Sequence, residues 1–516
     1  MGTLVELLKN TAMQLPKHTA LIFGENRVDY GLLLEASKRL ASGLSALGIR
    51  KGDRVALMLP NVPHFCISYF GILEIGGIVV PVNIMSSKDE IQHQLKDSGA
   101  SAMITWTGFQ NLAIAMKDMC PECKNILFLG DNIPTGTLAL TRVISESKPL
   151  ENDIEISDTD IAVINYTTGI ADVPLGAELT HSSLYSNATT CSEMFRFTQD
   201  DKMLAVLPLF HPLGQTLVMN SSFSRGCTVA LMPRYSPEEI VQAINNYKIT
   251  FMAAVPGIFT NLTENSQNVS LPSLKYCMNY GGKLPQEIID EFEEKYNAIV
   301  LQAYGLTEAG PLVTSVRLDS DRKANSVGLP LMGVEIQIRD DLGNQLRPFQ
   351  SGEIWTKSQN LMNEYYNKPE ETKKRLKNGW LFTGDVGYID DYHYLFVQER
   401  KENIIVKGGF HIFPHEVEKV IMEHSDVQEA AVIDVPDEVQ GAEVKAYVIL
   451  KEGKHLTQDE LIKFCRHTLP VYKTPKYIEF CSSIPKSPTG RVLKRVLRKN
   501  SISYRSGYDD KRNKEK

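Results

Sequence analysis

The sequence predicts an α/β protein with three parts: a large N-terminal domain of layered mixed and parallel sheets with helices, a β-rich subdomain, and a small C-terminal α+β domain. Strand-like and helix-like segments alternate through most of the 516 residues, which is typical of helices packed on mostly parallel sheets. At about 310–399 glycines become frequent and helical patterns fewer, which indicates β-hairpins. After Arg400 a new unit of strands and helices begins.

The N-terminal domain is predicted from runs that are short, apolar and rich in β-branched residues. Such runs predict strands at residues 53–60, 160–167, 202–210 and 249–256. Apolar residues at helical spacing, with acids on the other face, predict helices at 236–247 and 284–296.

The C-terminal domain has the same alternation on a smaller scale. Helices are predicted at 413–424 and 457–469, with strands at 428–436 and 443–451. We therefore place the N-terminal domain at 1–399, a charged hinge at 400–403 and the C-terminal domain at 404–516. About 110 residues are enough for a separate hydrophobic core.

Composition narrows the class of protein. A hydrophobic content of 43% and a charged content of 23% fit a soluble globular protein, and a net charge of −7 argues against a general nucleic-acid binder. The cysteines are scattered, and the one close pair, Cys120 and Cys123, has no second pair at zinc spacing. The most apolar stretch, 71–82, is too short to span a bilayer and contains Glu74. We expect a cytoplasmic protein without a membrane span.

Six short motifs stand apart from this general pattern. Each is weak alone, but their order and spacing are informative. They are "YTTGIADVPLGAELTH" (166–181), "LPLFHPLG" (207–214), "AYGLTEAG" (303–310), "GWLFTGD" (379–385), "RKENIIVKGGFHIFPHEVE" (400–418) and "PKSPTGRVLKR" (485–495).

Together these motifs resemble the adenylate-forming superfamily: acyl- and aryl-CoA synthetases, peptide-synthetase adenylation domains and luciferases. The resemblance extends from residues 28–44 to the last motif. It implies that a carboxylic acid and ATP form an acyl-AMP, from which the thiol of CoA or of a carrier-protein phosphopantetheine displaces AMP. It also implies that the C-terminal domain is a mobile lid. No nucleic-acid partner is implied.

Several residues match the nucleotide-binding positions of this family. By resemblance, Tyr304 stacks on adenine and Gly281–Gly282 lie along the nucleotide. Thr307 would contact phosphate and Glu308 would hold Mg²⁺. These residue types suit their tasks, since a hard carboxylate oxygen is a preferred ligand of magnesium.

Other matches concern the ribose, the acyl group and the thiol. By resemblance, Asp385 accepts hydrogen bonds from the ribose hydroxyls and Arg400 lies near the ribose at the hinge. His211 is expected to gate the acyl pocket. Gly408–Gly409 resemble the glycines that flank the pantetheine tunnel, where a side chain would block the thiol arm.

The first motif keeps the frame of the family's phosphate loop but not its chemistry. The outline predicts a strand, a turn containing Gly169 and Gly176, and a helix start, with Thr167 and Thr168 among the nucleotide-binding residues. Where the family has two hydroxyls, a glycine and a lysine, this chain has Ile170, Ala171, Asp172 and Leu175. Losing a charged contact costs roughly 1.5–3 kcal/mol, and an added carboxylate repels phosphate.

The last motif departs from the family in a second way. The family pattern ends in a lysine that bridges the carboxylate and the α-phosphate, and here that position is Arg491. Arginine keeps the charge but is planar and bulkier. Lys486 matches an outer lysine, which we interpret as a surface residue. Lys494 and Arg495 could replace the missing lysine only by moving.

Both departures fall on the ATP-dependent step, and three functions stay open. The chain is a working acyl- or aryl-CoA ligase with weakened adenylation, helped by backbone amides, Arg491 and Lys283. Alternatively, it is a non-adenylating acyltransferase between CoA and a carrier-protein pantetheine. A third alternative is a nucleotide- or acyl-binding pseudoenzyme. The basic tail, with eleven Lys/Arg against three Asp/Glu from Lys486 to Lys516, would suit an acidic carrier protein.

Overall fold

The computed structural model describes residues 2–167, 173–265, 269–437, 439–486 and 492–501. The chain forms two compact units. The first comprises Met1–Ile336 and Thr356–Phe382, and the second comprises Gln337–Trp355 and Thr383–Lys516. The predicted hinge at 400–403 falls inside the second unit, and its role as a hinge stays a prediction.

Strands β1 to β16 all lie within the first unit. In chain order they are β1 (Thr19–Phe23), β2 (Asn26–Asp29), β3 (Arg54–Met58), β4 (Ile78–Pro81), β5 (Ala102–Trp106), β6 (Asn125–Leu129), β7 (Leu138–Ala139), β8 (Ile161–Tyr166), β9 (Gly176–Thr180), β10 (Lys202–Ala205), β11 (Thr228–Leu231), β12 (Phe251–Ala254), β13 (Tyr276–Asn279), β14 (Ile299–Gly305), β15 (Leu312–Ser315) and β16 (Leu329–Pro330).

These strands build two large sheets. The nine-stranded sheet has the order β16-β15-β14-β13-β12-β10-β11-β1-β2, and the seven-stranded sheet has the order β7-β6-β5-β3-β4-β8-β9. Neighbours from β14 to β1 in the first sheet are parallel. In the second sheet β8 and β9 are antiparallel. The predicted α/β class with layered mixed and parallel sheets is therefore confirmed.

The ends of several helices follow local capping chemistry. Ser236 and Glu239 form a reciprocal capping box before the helix that ends at Tyr247, as the sequence "SPEE" favours. The α-helices are α1 (Leu4–Gln14), α2 (Tyr30–Ala46), α3 (Pro63–Glu74), α4 (Lys88–Ser98), α5 (Gln110–Met119), α6 (Leu140–Glu146), α7 (His181–Met194), α8 (Ser221–Phe223), α9 (Pro237–Tyr247), α10 (Pro256–Asn265), α11 (Gln286–Tyr296), α12 (Pro369–Arg375), α13 (Pro414–Met422) and α14 (Gln458–Thr468).

The remaining strands form three smaller sheets. A five-stranded sheet has the order β17-β18-β20-β19, with β21 paired to β20; β22 and β23 form a hairpin; and β24, β25 and β26 form a three-stranded sheet. Their bounds are β17 (Glu335–Arg339), β18 (Gly352–Lys357), β19 (Leu376–Lys377), β20 (Trp380–Ile389), β21 (Leu395–Arg400), β22 (Ile405–Lys407), β23 (Phe410–Ile412), β24 (Val427–Asp437), β25 (Gly441–Leu450) and β26 (Tyr477–Phe480).

Each unit has its own buried core. The apolar stretch 71–82 is the end of α3 and the strand β4, both buried in the core of the first unit. In the second unit, α13 and α14 pack apolar side chains on one face of the sheet of β24, β25 and β26. Among the described residues, no helix combines the length and the apolar character needed to cross a membrane.

One predicted strand is shorter than expected. The sequence predicts a strand at 202–210, but β10 ends at Ala205. The buried side chain of Asn61 donates to the carbonyl oxygens of Ala205 and Leu207, and its oxygen accepts from the amide of Leu209. These bonds replace ladder partners, so residues 206–210 form a connection at the end of the sheet.

Candidate active site

The parallel strands of the nine-stranded sheet bring several predicted residues to one edge. Residues that follow the carboxyl ends of parallel strands meet at the same edge. His211 follows β10, Gly281 follows β13 and Glu308 follows β14. The rings of His211 and Tyr280 lie 6.3 Å apart between centroids, so the first two connections are adjacent. This edge is the candidate active site of the first unit.

His211 is a neutral histidine at this edge. Its Nδ1 accepts a hydrogen bond from the amide of Leu213 at 3.3 Å, and desolvation lowers its pKa to about 4. A Cβ on Gly214 would collide with the carbonyl group of Pro208, so the glycine lets the chain turn tightly after His211. The imidazole is therefore uncharged at neutral pH.

The glycine pair after β13 forms an exposed turn. Gly281 has a φ of +85°, which favours glycine. The Nδ2 of Asn279 donates to the carbonyl oxygen of Gly282 at 2.9 Å and to Oε1 of Gln302 at 2.6 Å. Asn279 thus fixes the turn, and sequence reasoning missed it. An asparagine at the end of a strand just before two glycines was the available indication.

The connection after β14 carries the predicted metal ligand. Thr307, Glu308 and Ala309 form a single 3-10 turn, and Tyr304 lies half-buried near the end of the strand. The Glu308 side chain is 2% exposed. Its Oε1 accepts a hydrogen bond from the hydroxyl of Tyr365 at 2.6 Å. A buried carboxylate with one oxygen held by a neutral donor can still ligate a cation.

Residues 362–366, hereafter the 362–366 segment, join this turn to β9. The amide of Met362 donates to the carbonyl oxygen of Glu308 at 2.8 Å. Further along, the amide of Tyr366 donates to the carbonyl oxygen of Gly176 at 2.7 Å, and Tyr365 pairs with Ala177. The end of the first motif and the Glu308 turn are therefore tied together by one extended stretch of backbone.

The first motif forms a hairpin. The sequence predicted a helix start directly after the turn, but β9 intervenes and α7 begins only at His181. Thr167 and Leu175 close the base: the Thr167 amide donates to the Leu175 carbonyl oxygen at 2.8 Å. The Leu175 amide donates to the Thr167 hydroxyl at 3.3 Å.

Of the other predicted nucleotide-binding positions in this motif, only Gly176 is described by the structure. Gly176 lies in β9, where a Cβ would come within 2.7 Å of Ile164 and 3.1 Å of the Tyr166 ring, so a larger residue would not fit. Thr168 and Gly169 lie outside the described residues, together with residues 170–172.

The base of the hairpin is braced by α4, which sequence reasoning did not single out. His93 Nε2 lies 2.9 Å from the carbonyl oxygen of Pro174. The hydroxyl of Tyr166 donates to Oδ2 of Asp97 at 2.9 Å, and Lys368 binds the other oxygen of Asp97 at 2.9 Å. The sequence "IQHQLKDSG" looks like an ordinary surface helix, so only the fold brings these side chains to the loop.

In the second unit, the two predicted ribose residues form an ion pair. Asp385 and Arg400 are opposite each other on β20 and β21, and Nε of Arg400 lies 3.0 Å from Oδ1 of Asp385. Both side chains are largely buried, and the Asp385 amide donates to the Thr383 hydroxyl. The pair fixes the orientation of the carboxylate, which can accept hydrogen bonds from two neighbouring hydroxyls.

Gly408 and Gly409 form the tight turn between β22 and β23. Both have positive φ, +55° and +85°, and a Cβ on Gly408 would collide with the side chain of Gln440. Gly408 also donates its amide to the carbonyl oxygen of Gln440 at 2.9 Å. Next to this turn is an open surface cavity of about 630 Å³ lined in part by Lys407 and Tyr472.

Lysines around the last motif are already engaged. Arg491 lies outside the described residues. Lys494 is buried between Glu418, at 2.9 Å, and Glu399, at 3.4 Å. Lys486 is exposed and pairs with Glu429 at 2.8 Å. Lys494 is therefore held by two largely buried carboxylates.

Comparison with known proteins identifies the family. The model of the AMP-binding enzyme family matches residues 8–366, and that of the AMP-binding enzyme C-terminal domain matches residues 416–491. The long-chain-fatty-acid–CoA ligase of Bacillus subtilis (strain 168) is 34% identical over 525 residues, which cover 96% of this chain and 94% of that protein. The chain belongs to the AMP-binding enzyme family, the adenylate-forming superfamily that its motifs resemble. Within the family it groups with the carboxylic acid–CoA ligases.

Solved structures agree with this assignment. ATP-bound MatB from Rhodopseudomonas palustris matches with a TM-score of 0.89 and 26% identity, covering 96% of this chain and 98% of that one. O-succinylbenzoate coenzyme A synthetase (MenE) from Bacillus subtilis, in complex with ATP and magnesium ion, matches with a TM-score of 0.84 and 29% identity, covering 95% and 98%. The predicted superfamily is thus confirmed by both sequence and fold.

Proposed function

We propose that this chain is a carboxylic acid–CoA ligase that acts on fatty acids and in which adenylation is the weakened step. The observation that carries the proposal is similarity along nearly the whole chain to ligases named for long-chain fatty acids, at 34% identity for the Bacillus subtilis protein. ATP and the fatty acid would give acyl-AMP and pyrophosphate. The CoA thiol would then displace AMP.

The nucleotide roles follow from the residues retained. Tyr304 offers an aromatic face to adenine, and Thr307 offers a hydroxyl to the phosphate. Asp385, oriented by Arg400, would accept hydrogen bonds from the ribose hydroxyls, since an ionised carboxylate is an acceptor for two donors at once. Within its own unit each of these side chains is positioned by a strand or a turn, so its local orientation is set before nucleotide binds.

Magnesium fits the donor set at Glu308. Mg²⁺ is commonly bound through one or two carboxylates together with substrate phosphates. Within the described residues, no cluster of three or more His, Cys, Asp or Glu side chains could hold a metal alone. Glu308 would therefore share the ion with the phosphates of ATP. When bound, Mg²⁺ would neutralise charge that develops on the phosphate oxygens.

The hairpin that carries the first motif supports a weakened adenylation step. Leu175, where the family has lysine, is 8% exposed and belongs to the apolar core of the first unit. A leucine that packs in this way supplies no charge to a phosphate group. Asp172, three positions earlier in the sequence, carries a negative charge, which would repel polyphosphate.

Arg491 is the second reason for slow adenylation. It would have to meet both the acid and the α-phosphate with a planar fork in place of a compact ammonium. Because Lys494 is bound to Glu399 and Glu418, moving it would leave two largely buried carboxylates without their cation. That cost argues against Lys494 as a substitute.

The surroundings of His211 in the first unit favour an apolar substrate, and the glycine turn of the second unit favours CoA. Neutral His211 places no positive charge at the acyl end, and aliphatic side chains surround its connection. Gly408 and Gly409 would leave room for the pantetheine arm. An apolar chain gains about 0.8 kcal/mol per buried methylene, so chain length should govern affinity.

Carboxylate-dependent ATP–pyrophosphate exchange tests the proposal, with fatty acids of increasing length and acyl-CoA formation measured in parallel. We expect slow exchange that depends on the acid, and acyl-CoA as the product. No exchange and no acyl-CoA with any acid would contradict the proposal.

A second candidate, a non-adenylating acyltransferase between CoA and a carrier-protein pantetheine, is favoured by the distribution of the changes. Leu175, Asp172 and Arg491 all fall on the ATP-dependent step, whereas Gly408 and Gly409 are kept. Acyl transfer from acyl-CoA to a holo carrier protein, without ATP–pyrophosphate exchange, would support it over the ligase. Binding of nucleotide or acyl-CoA without turnover would leave a pseudoenzyme.

A further inference from the structure

We propose that Tyr365 is a positioning residue for the magnesium-dependent ATP step and that it acts through Glu308. The inference rests on the proposed function, because it takes Glu308 as the magnesium ligand. Its basis is the contact of the two side chains and the way the 362–366 segment is held.

The contact between Tyr365 and Glu308 is short and buried. The Tyr365 hydroxyl donates to Oε1 of Glu308 at 2.6 Å, and Tyr365 is fully buried while Glu308 is 2% exposed. A hydrogen bond to a charged acceptor contributes more than a neutral one. The bond holds the carboxylate in one orientation through Oε1, so Oε2 is the oxygen that would be left to ligate a cation.

The backbone of Tyr365 is itself fixed at several points. Its amide donates to the hydroxyl of Thr372 at 2.9 Å. It pairs with Ala177 in β9, and the next amide binds the carbonyl oxygen of Gly176. The backbone on either side of Tyr365 is thus held by hydrogen bonds, and this fixes the position of its side chain.

The same segment also holds Glu308 from its backbone. The Met362 amide donates to the Glu308 carbonyl oxygen at 2.8 Å. The 362–366 segment therefore holds the Glu308 carboxylate, the turn that carries Glu308, and the start of β9 after the phosphate loop. Groups that orient a metal ligand in this way typically matter 10–100-fold for metal affinity or activity.

The test uses Tyr365→Phe, which removes only the hydroxyl, and Tyr30→Phe as the matched control. Tyr30 is also fully buried and donates one 2.6 Å hydrogen bond, to the carbonyl oxygen of Cys227. Mn²⁺ binding is measured by electron paramagnetic resonance with α,β-methylene-ATP as the nucleotide. Exchange is measured against Mg²⁺ concentration, and thioester formation from synthetic acyl-AMP is measured separately.

For Tyr365→Phe we expect Mn²⁺ affinity to fall about 10–100-fold, exchange to require correspondingly more Mg²⁺, and thioester formation from acyl-AMP to stay unchanged. Tyr30→Phe should match the wild type in all three. Tyr365→Phe added to Glu308→Gln should cost nothing further, because two residues that act as a unit are not additive.

Two different failures are distinguishable. If the wild type binds Mn²⁺ and exchanges, but Tyr365→Phe does so equally at every metal concentration, the positioning role is wrong and the proposed function stands. If the wild type shows neither metal-dependent nucleotide binding nor exchange, both are wrong. A loss in Tyr365→Phe that is additive to Glu308→Gln would also overturn the inference.

Discussion

Thr167 and Leu175 close the base of the phosphate-loop hairpin with two hydrogen bonds in opposite directions. The Thr167 amide donates to the Leu175 carbonyl oxygen, and the Leu175 amide donates to the Thr167 hydroxyl. The frame of the loop is therefore maintained by main-chain and hydroxyl groups, while the Leu175 side chain packs into the core. The described base of the hairpin thus keeps its backbone bonds, whereas the lysine found in the family at position 175 is replaced by a buried leucine.

Replacing Thr167 tests whether its hydroxyl maintains the base of the phosphate-loop hairpin. Thr167→Val leaves the buried amide of Leu175 without its hydroxyl acceptor, which costs about 1–3 kcal/mol. We expect a lower thermal midpoint and slower exchange. Thr167→Ser keeps the oxygen and should retain both properties. If Thr167→Val exchanged as fast as Thr167→Ser, the hydroxyl would have no part in shaping the loop.

Restoring the positive charge of the phosphate loop tests whether its loss slows adenylation. The triple variant Leu175→Lys, Asp172→Gly, Arg491→Lys supplies an ammonium, removes a carboxylate and returns the bridging lysine. One missing donor at a developing charge costs about 10²–10³-fold, so exchange should rise at least tenfold. Because position 175 is buried, the variant should also unfold at lower temperature.

The matched control is Leu175→Met with the same two partner substitutions, since methionine keeps the apolar volume without the charge. It should raise exchange less than the full triple variant. Equal exchange in the two variants would mean that the charge at position 175 is not limiting.

Lys494 should contribute to the stability of the second unit by pairing with Glu399 and Glu418. Burial alone would raise the pKa of Glu399, but Lys494 and the hydrogen-bond donors around it lower that pKa. Burial raises the pKa of Glu418 despite Lys494. Lys494→Met should destabilise the unit by about 3–5 kcal/mol near neutral pH, measured by urea unfolding.

The pH dependence of this loss separates charge from packing. As pH falls, both carboxylates take up protons and need no cation, so the deficit of Lys494→Met should shrink. Lys486→Met, which breaks an exposed pair with Glu429, should cost no more than about 1 kcal/mol at any pH. A deficit in Lys494→Met that is independent of pH would point to packing alone.

Glu74 should make the stability of the first unit depend on pH. It is a buried carboxyl at the end of α3, and desolvation raises its pKa to about 7. A carboxyl whose pKa is raised on folding stabilises the fold at low pH and loses that contribution as pH rises from about 4.5 to 7. Glu74→Gln should therefore raise the thermal midpoint at pH 8 and leave it nearly unchanged at pH 4.5. An equal shift at both pH values would contradict the assignment.

Sequence reasoning captured the layered α/β fold because it depends on periodicity and capping, which are local. The helix at Pro237–Tyr247 is predicted by the capping sequence "SPEE" and by the helical spacing of its apolar residues. The motifs also singled out His211, Gly281 and Glu308, which follow β10, β13 and β14 in the structure.

What sequence could not supply was contact between distant segments. Tyr365 lies 57 positions from Glu308, and His93 lies 81 positions from Pro174. The buried Asn61 that ends β10 early is also far away in the chain. The strand after the first motif was missed because "LGAELTH" has little β-branched character; its pairing with Tyr166 and the 362–366 segment makes it a strand.

The most direct test of the central claim is a single-turnover comparison of the two half-reactions with one fatty acid. Acyl-AMP formation from saturating ATP, Mg²⁺ and acid is timed against thioester formation from synthetic acyl-AMP and CoA. We predict that adenylation is slower than thioester formation by at least tenfold. Adenylation that is as fast as thioester formation, or faster, would contradict the account.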